Sequence, residues 1–169
     1  SCWFKLDDIT TNRVFFSNES GTNYYGVQIF LIATGTDIGI RIGDGGGTTA
    51  ADRRNGIGDA ALSAGTWYHL ACIINSTTDM VIYIDNISLS MTYSGTGEAI
   101  AYTTGTVAIG RPQVTTDTTF MDGEITELAF WTSYALTANN IAQLANSRIK
   151  GMPLQIQTAN LQGYWPMDD

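Results

Sequence analysis

Residues 67–74 read Trp67-Tyr68-His69-Leu70-Ala71-Cys72-Ile73-Ile74, and residues 80–86 read Met80-Val81-Ile82-Tyr83-Ile84-Asp85-Asn86. Both runs are apolar on both sides of an extended chain, which is the mark of central strands in a two-layer structure. On such a strand Trp67 is expected to be a core residue. Asp85-Asn86 sits between this run and the next strand pattern. Both residues tolerate positive φ and suit a two-residue hairpin.

Working outward, Val14–Phe16 and Tyr25–Ile32 are again apolar on both faces. Elsewhere the period is two. Ile38, Ile40 and Ile42 alternate with Asp37, Gly39 and Arg41, and Ile87, Leu89, Met91 and Tyr93 alternate with Ser88, Ser90 and Thr92. Each reads as a half-buried strand with one wet face. Gly45-Gly46-Gly47 through Gly58 reads as a long polar loop, with Arg53-Arg54 solvated within it. One helix is expected: Thr137 can N-cap it, Ile141, Leu144 and Ala145 give the i, i+3, i+4 spacing, and it ends near Arg148 and Gly151. Pro153 then opens an extended tail that closes in Leu161–Met167. About ten strands at short spacing predict an all-β, two-sheet antiparallel sandwich or jelly roll with one short C-terminal helix. There is no internal repeat and no shift of composition, so residues 1–169 read as one domain.

The chain has 169 residues, 44% of them hydrophobic, and a formal charge of −8 from eight basic and sixteen acidic residues. The basic residues are dispersed, which argues against nucleic acid and anionic membranes as partners. No run approaches the roughly 20 apolar residues that span a bilayer. The chain starts at Ser1, followed at once by strand-like Cys2-Trp3-Phe4-Lys5-Leu6, and so reads as a processed product or a piece of a longer protein.

Residues that could carry chemistry are few. His69, the only histidine, lies in an apolar strand with no nucleophile in any recognised elbow and reads as a hydrogen-bonded core residue. Asp122 and Glu124 share one strand face, while Glu127 points the other way. The jelly-roll glucanases place three acids on one face in a Glu-x-Asp-x-x-Glu pattern, and here Thr126 stands where the middle Asp would be. The triple glycine lacks the Lys-Ser/Thr of a phosphate loop. Calcium is the one ion the loops suit, with Gln113, Asp117 and Asp122 as candidate oxygen ligands. Tyr24, Tyr25, Tyr93, Tyr102 and Tyr134 lie at strand ends or in loops. Of these, Tyr24, Tyr25, Tyr93 and Tyr102 are the candidates for stacking on sugar faces or anchoring a protein contact. The sequons at Asn18, Asn75 and Asn86 are candidate glycosylation sites. Cys2 and Cys72 allow one disulfide at most.

Trp67-Tyr68-His69-Leu70-Ala71 followed by Val81-Ile82-Tyr83-Ile84-Asp85-Asn86 resembles the laminin-G-like signature, a Trp-x-His-hydrophobic-Ala strand before a Tyr-x-Asp-Gly hairpin. Thr106 to Arg111 resembles its next strand. Phe120 to Ile141 resembles its closing segment, and Cys2 to Leu6 its early strand. The resemblance covers nearly the whole chain and implies the concanavalin A-like jelly roll of laminin G domains, pentraxins and legume lectins. The chain departs from the family at Thr126, where many members have Asp, and at Asn86, where Gly is usual. The family's N-terminal strands are missing, while Gly163–Asp169 resembles the opening strand of such a domain; it either closes this domain or begins another. Pentraxins join a Cys on the early strand to one on the Trp-x-His strand. The resemblance thus implies a Cys2–Cys72 bridge, although each Cys is shifted by one residue. Tyr24-Tyr25-Gly26 occupies the place of a pentraxin calcium-binding Asp-Asn pair.

This jelly roll hosts lectins, adhesion modules and enzymes alike. The first expectation is a non-catalytic recognition or adhesion module that binds glycan or protein on an extracellular, cell or virion surface, through rim loops or the concave sheet, with calcium optional. The alternative is a structural or assembly module, such as a capsid decoration or a fibre or filament subunit, that contacts copies of itself. A polysaccharide-cleaving enzyme is disfavoured by the missing acids.

Overall fold

The structure, a computed structural model, describes residues 1–19, 23–34, 36–102, 106–112, 118–146 and 152–167. Its strands are β1 (Cys2–Leu6), β2 (Arg13–Ser17), β3 (Tyr25–Ile32), β4 (Asp37–Asp44), β5 (Arg53–Gly58), β6 (Trp67–Ser76) and β7 (Asp79–Ile84). After these come β8 (Ile87–Ser88), β9 (Met91–Gly95), β10 (Ala108–Ile109), β11 (Gly123–Thr126), β12 (Leu128–Trp131) and β13 (Leu161–Trp165), with helix α1 (Ala138–Asn146) between the last two. Two antiparallel sheets face each other, a five-stranded one in the order β11-β1-β6-β7-β8 and a six-stranded one in the order β10-β2-β3-β4-β5-β9. Strands β12 and β13 form a third, separate pair, so the tail folds back onto this domain. Among the described residues no helix is long and apolar enough to cross a membrane.

The core follows the period-two pattern. Ile38, Ile40 and Ile42 of β4 are buried, as are Phe4 and Leu6 of β1 and Ile82 of β7. Phe4 and Phe15 meet across the sandwich edge to face, ring centroids 4.8 Å apart. The two-sided character of β6 and β7 has a separate cause. Leu70 and Ile82 point into the sandwich, whereas Ala71, Ile73 and Tyr83 point outward into a second cluster with Leu136, Ile141, Leu144 and Ile156. The helix is capped as its sequence demands. Asn140 N donates to Thr137 Oγ1 at 3.2 Å, and Asn140 Oδ1 accepts from Thr137 N at 3.1 Å, a reciprocal cap. The expected end at Arg148 and Gly151 lies outside the described residues.

Asp85 and Asn86 take φ of 49° and 67°, the expected hairpin. Asp85 also locks the preceding strand: its Oδ1 accepts from His69 N at 2.8 Å, and its N donates to His69 O at 2.9 Å.

Three expectations are corrected. Ile87 to Tyr93 is not one strand: the chain leaves the five-stranded sheet after Leu89, whose N still donates to Ile82 O, and joins the six-stranded sheet at Met91. Ile87 is consequently 69% exposed. Residues 53–58 are not loop but strand β5, paired on both edges with β4 and β9. Its glycines are there because neighbours crowd the strand. A Cβ on Gly58 would come 2.9 Å from Leu89 Cβ, and one on Gly56 would come 3.0 Å from Met91 Cε. Trp67 is only half-buried, because it opens β6 at the end of the sheet, where Lys5 Nζ lies 5.7 Å from its ring.

Burial ranks the aromatic residues by their cost on truncation. Phe4→Ala is expected to lose about 3–5 kcal/mol in urea unfolding. Trp67→Ala is expected to lose clearly less, and equal losses would contradict this placement.

Candidate functional site

One end of the six-stranded sheet gathers three of the four candidate tyrosines. Tyr24 N donates to Gly47 O at 2.8 Å and Gly45 N to Tyr24 O at 2.8 Å, which ties the start of β3 to the loop after β4. Gly45 has a φ of +80°, and a Cβ there would come 2.2 Å from Tyr25 Cε1, so only glycine leaves room for that ring. The loop is then fixed by a capping box in which Thr49 Oγ1 accepts from Ala51 N and Asp52 Oδ2 accepts from Thr49 N at 2.8 Å. The segment after β9 closes over this end. Gly26 N donates to Ala101 O at 2.7 Å and Ala101 N to Gly43 O at 3.0 Å. That bridge holds the residue before Tyr102, itself 67% exposed, across the sheet end where the half-buried Tyr24 and Tyr25 stand. Tyr93 does not belong to this group. Its hydroxyl donates to Met80 O at 2.9 Å and accepts from Met80 N at 3.0 Å, pinning β9 to β7.

Below the rim, a row of polar side chains crosses the sheet on the face opposite the isoleucines. Gln28, Arg41, Asn55 and Ser94 are register partners on β3, β4, β5 and β9. Arg41 donates from Nη1 to Gln28 Oε1 at 3.1 Å and from Nε to Asn55 Oδ1 at 3.0 Å. Its guanidinium lies 4.7 Å from the Phe30 ring centre, and the carboxylate of the buried Glu19 is 4.0 Å away. The alternation Asp37-Gly39-Arg41 gave the only sequence signal for this row; the partners are set by pairing between distant strands.

A cleft of about 610 Å³ also opens beside the rim, with Ile100 and Tyr102 in its wall and Phe16, Val27, Leu70 and Phe130 deeper inside.

The profile of the concanavalin A-like lectin/glucanases superfamily, in its laminin G form, matches residues 1–142. The chain belongs to that superfamily. Among solved structures, a candidate carbohydrate-binding protein from Bacteroides ovatus matches with a TM-score of 0.67 at 17% identity, covering 99% of this chain and 44% of that one. An S-layer domain-containing protein from Clostridium thermocellum (residues 221–444) is a looser match, with a TM-score of 0.40 at 19% identity, covering 83% of this chain and 65% of that one. At these identities the likeness is one of fold, and this chain spans less than half of the Bacteroides protein. No curated protein matches the sequence.

The superfamily includes both lectins and glucanases, so the acids matter. Glu124 is ion-paired with Lys5, and Asp122 lies 3.6 Å from Arg13 Nη2, which is also paired with Asp8. Glu127 Oε1 accepts from Tyr164 OH at 2.8 Å. All three acids lie along β11 and its end, on the other sheet from the rim. Thr126, the departure from the laminin-G pattern, uses its hydroxyl to donate to Pro166 O at 2.6 Å and so ties β11 to the tail. Of the calcium candidates, Gln113 and Asp117 lie outside the described residues, and Asp122 faces Arg13. Among the described residues no three His, Cys, Asp or Glu side chains converge. Asn75 and Asn86 are exposed, whereas Asn18 is half-buried with its Oδ1 accepting from Val27 N at 2.6 Å.

Cys2 and Cys72 both stand as free thiols in the wall of the cleft. The register explains why. Cys2 is paired with Leu70, so Cys72 sits diagonally, two residues further on. Diagonal Cα atoms lie roughly 7–8 Å apart, beyond the usual disulfide reach of about 4.4–6.8 Å. Burial pushes the Cys2 thiol up to about 11 and the Cys72 thiol up to about 12. Ellman titration at pH 8 is therefore expected to find two thiols, with the buried Cys2 reacting only on unfolding and the half-buried Cys72 reacting slowly in the native chain; none reacting in denaturant without reductant would mean a bridge.

His69 is 1% exposed, as expected of a core residue, but its Nδ1 has no hydrogen-bond partner among the described residues. Burial, with a smaller contribution from the Ser1 ammonium, pushes the imidazole from 6.5 down to about 3. Between those values the unfolded chain binds a proton that the native state refuses, so stability rises with pH across the window and is lost as pH falls. Urea midpoints are expected to drop between pH 6.5 and 3, and His69→Gln is expected to flatten that slope.

Proposed function

We propose that the chain is a non-catalytic glycan-recognition module of an extracellular or surface protein, with its binding site at the Tyr24–Tyr25–Tyr102 rim and the polar row below it. The observation that carries this reading is the Ala101 bridge, which takes the chain across the sheet end where Tyr24 and Tyr25 stand and leads into the exposed Tyr102 in the wall of the cleft. Aromatic faces stack on the C–H faces of sugar rings, while amides and guanidinium groups take their hydroxyls. The half-buried Arg41 and Asn55 supply such groups on the same sheet, with the buried Gln28 holding Arg41 in place. The description of the Bacteroides ovatus relative as a candidate carbohydrate-binding protein points the same way.

One further feature supports recognition over cleavage. The acids of β11 are held in ion pairs and hydrogen bonds on the other sheet from the rim.

A glycan array run in calcium and again in EDTA tests the reading. Selective binding is expected, with Tyr102→Ala weakening the best ligand at least tenfold and Tyr93→Ala lowering thermal stability instead. Loss of binding in EDTA would add calcium to the site. A blank array under both conditions would overturn the reading. Release of reducing ends from a bound polysaccharide would show an enzyme.

A further inference from the structure

We propose that Arg53, stacked on Tyr24, anchors an acidic group, so that the glycan bound at this rim carries carboxylate or sulfate groups; the inference rests on the glycan-recognition reading above.

The argument begins with the cations. Lys5 pairs with Glu124, and Arg13 with Asp8 and Asp122. Arg41 is bonded to Gln28 and Asn55, and Arg54 donates from Nη1 to Gly95 O. Arg111 is exposed. Arg53 shares a buried, partnerless Nε with Arg13 and Arg54 but, unlike them, has no acceptor for the rest of its guanidinium among the described residues. It is half-buried, with its Cζ 4.4 Å from the Tyr24 ring centre, and its Nε is shut off from water with no hydrogen-bond partner. Among the described residues its guanidinium donates to no acceptor and has no carboxylate within 4.0 Å. A half-enclosed guanidinium without acceptors is costly to hold and gains most when an acceptor arrives.

Two acids of the adjoining loop, Asp52 and Asp44, do not fill that role. Asp52 Oδ2 already accepts from Thr49 N at 2.8 Å and Thr49 Oγ1 at 2.7 Å, and Asp44 Oδ1 accepts from Gly46 N at 2.9 Å. Both carboxylates are turned into their own loop. The Arg53 backbone is fixed as well. Its O accepts from Gly97 N at 3.1 Å, and a Cβ on Gly97 would come within 2.9 Å of Arg53 C. With one face on Tyr24, the planar fork presents its edge, which matches the two oxygens of a carboxylate or sulfate. The chain as a whole carries −8 and repels long polyanions. A short acidic oligosaccharide, engaged locally by this one fork and by the rim tyrosines, is the ligand these features fit.

The test is calorimetric binding of three tetrasaccharides to the whole chain: a hexuronate oligomer, the same oligomer with its carboxyls reduced to alcohols, and a sulfated neutral oligomer. At least one acidic sugar is expected to bind ten times more tightly than the reduced one, and which one does so separates carboxylate from sulfate. Arg53→Gln is expected to bring the acidic sugar down to the level of the reduced one, and Arg53→Lys to restore part of the difference, since it keeps the charge and loses the fork. Equal binding of acidic and reduced sugars would overturn the inference and leave glycan recognition standing. An acidic preference that survives Arg53→Gln would also overturn it. Binding of none of the three would overturn this inference, and the glycan array then decides the glycan-recognition reading by itself. If Arg53→Gln does not fold, as judged by its melting curve, the acidic-against-reduced comparison on the native chain decides.

Discussion

Strand β6 is buried on both faces, and the arrangement of the molecule depends on that. Leu70 faces the sandwich and Ala71, fully buried, faces the helix cluster. A strand in this position cannot lie at an edge or against solvent without exposing one apolar surface. It therefore needs β1 and β7 as lateral neighbours, the six-stranded sheet below and α1 above. Asp85 holds the β6–β7 pair in register through two hydrogen bonds to His69, so that a one-residue slip, which would exchange the two faces, is blocked at the end of the pair far from its connecting turn.

Most of this was readable because the relevant signals are local. Two-sided runs gave β3, β6 and β7 to within a residue or two, the isoleucine alternation gave β4, and Thr137 with Ile141 and Leu144 gave α1. Strand β5 was not readable. Arg53-Arg54-Asn55-Gly56-Ile57-Gly58 has the composition of a loop, and only the crowding of Leu89 and Met91 shows why glycines must stand there. The run from Ile87 to Tyr93 failed for a related reason. Its alternation is unbroken, but the chain changes sheets within it, and period alone carries no information about which sheet a residue joins.

The site was legible as a set of residue types and not as a place. Tyr24, Tyr25 and Tyr102 could be named as tyrosines at strand ends, but their place at one end of the sheet depends on Ala101 bonding to Gly26 and Gly43, more than fifty residues away in sequence. Tyr93 looked the same in sequence and turned out to hold β9 to Met80. Gln28, Arg41 and Asn55 were scattered polar residues until strand pairing aligned them.

Crowding and recognition are linked through β5. The glycines that make this strand resemble a loop let β9 and the Leu89 crossover pack tightly against it, and that packing carries the chain on to Gly95 and Gly97 around Arg53. Ala101 then returns across β3 and β4 and delivers Tyr102 to the rim. A bulky residue at Gly56 or Gly58 would strike the core end of β9, while the distant effect would fall on the position of Tyr102 relative to Tyr24. The interior of β5 and the rim are thus one continuous stretch of close backbone packing, and the residues that make the strand hard to recognise are those that hold the rim in place.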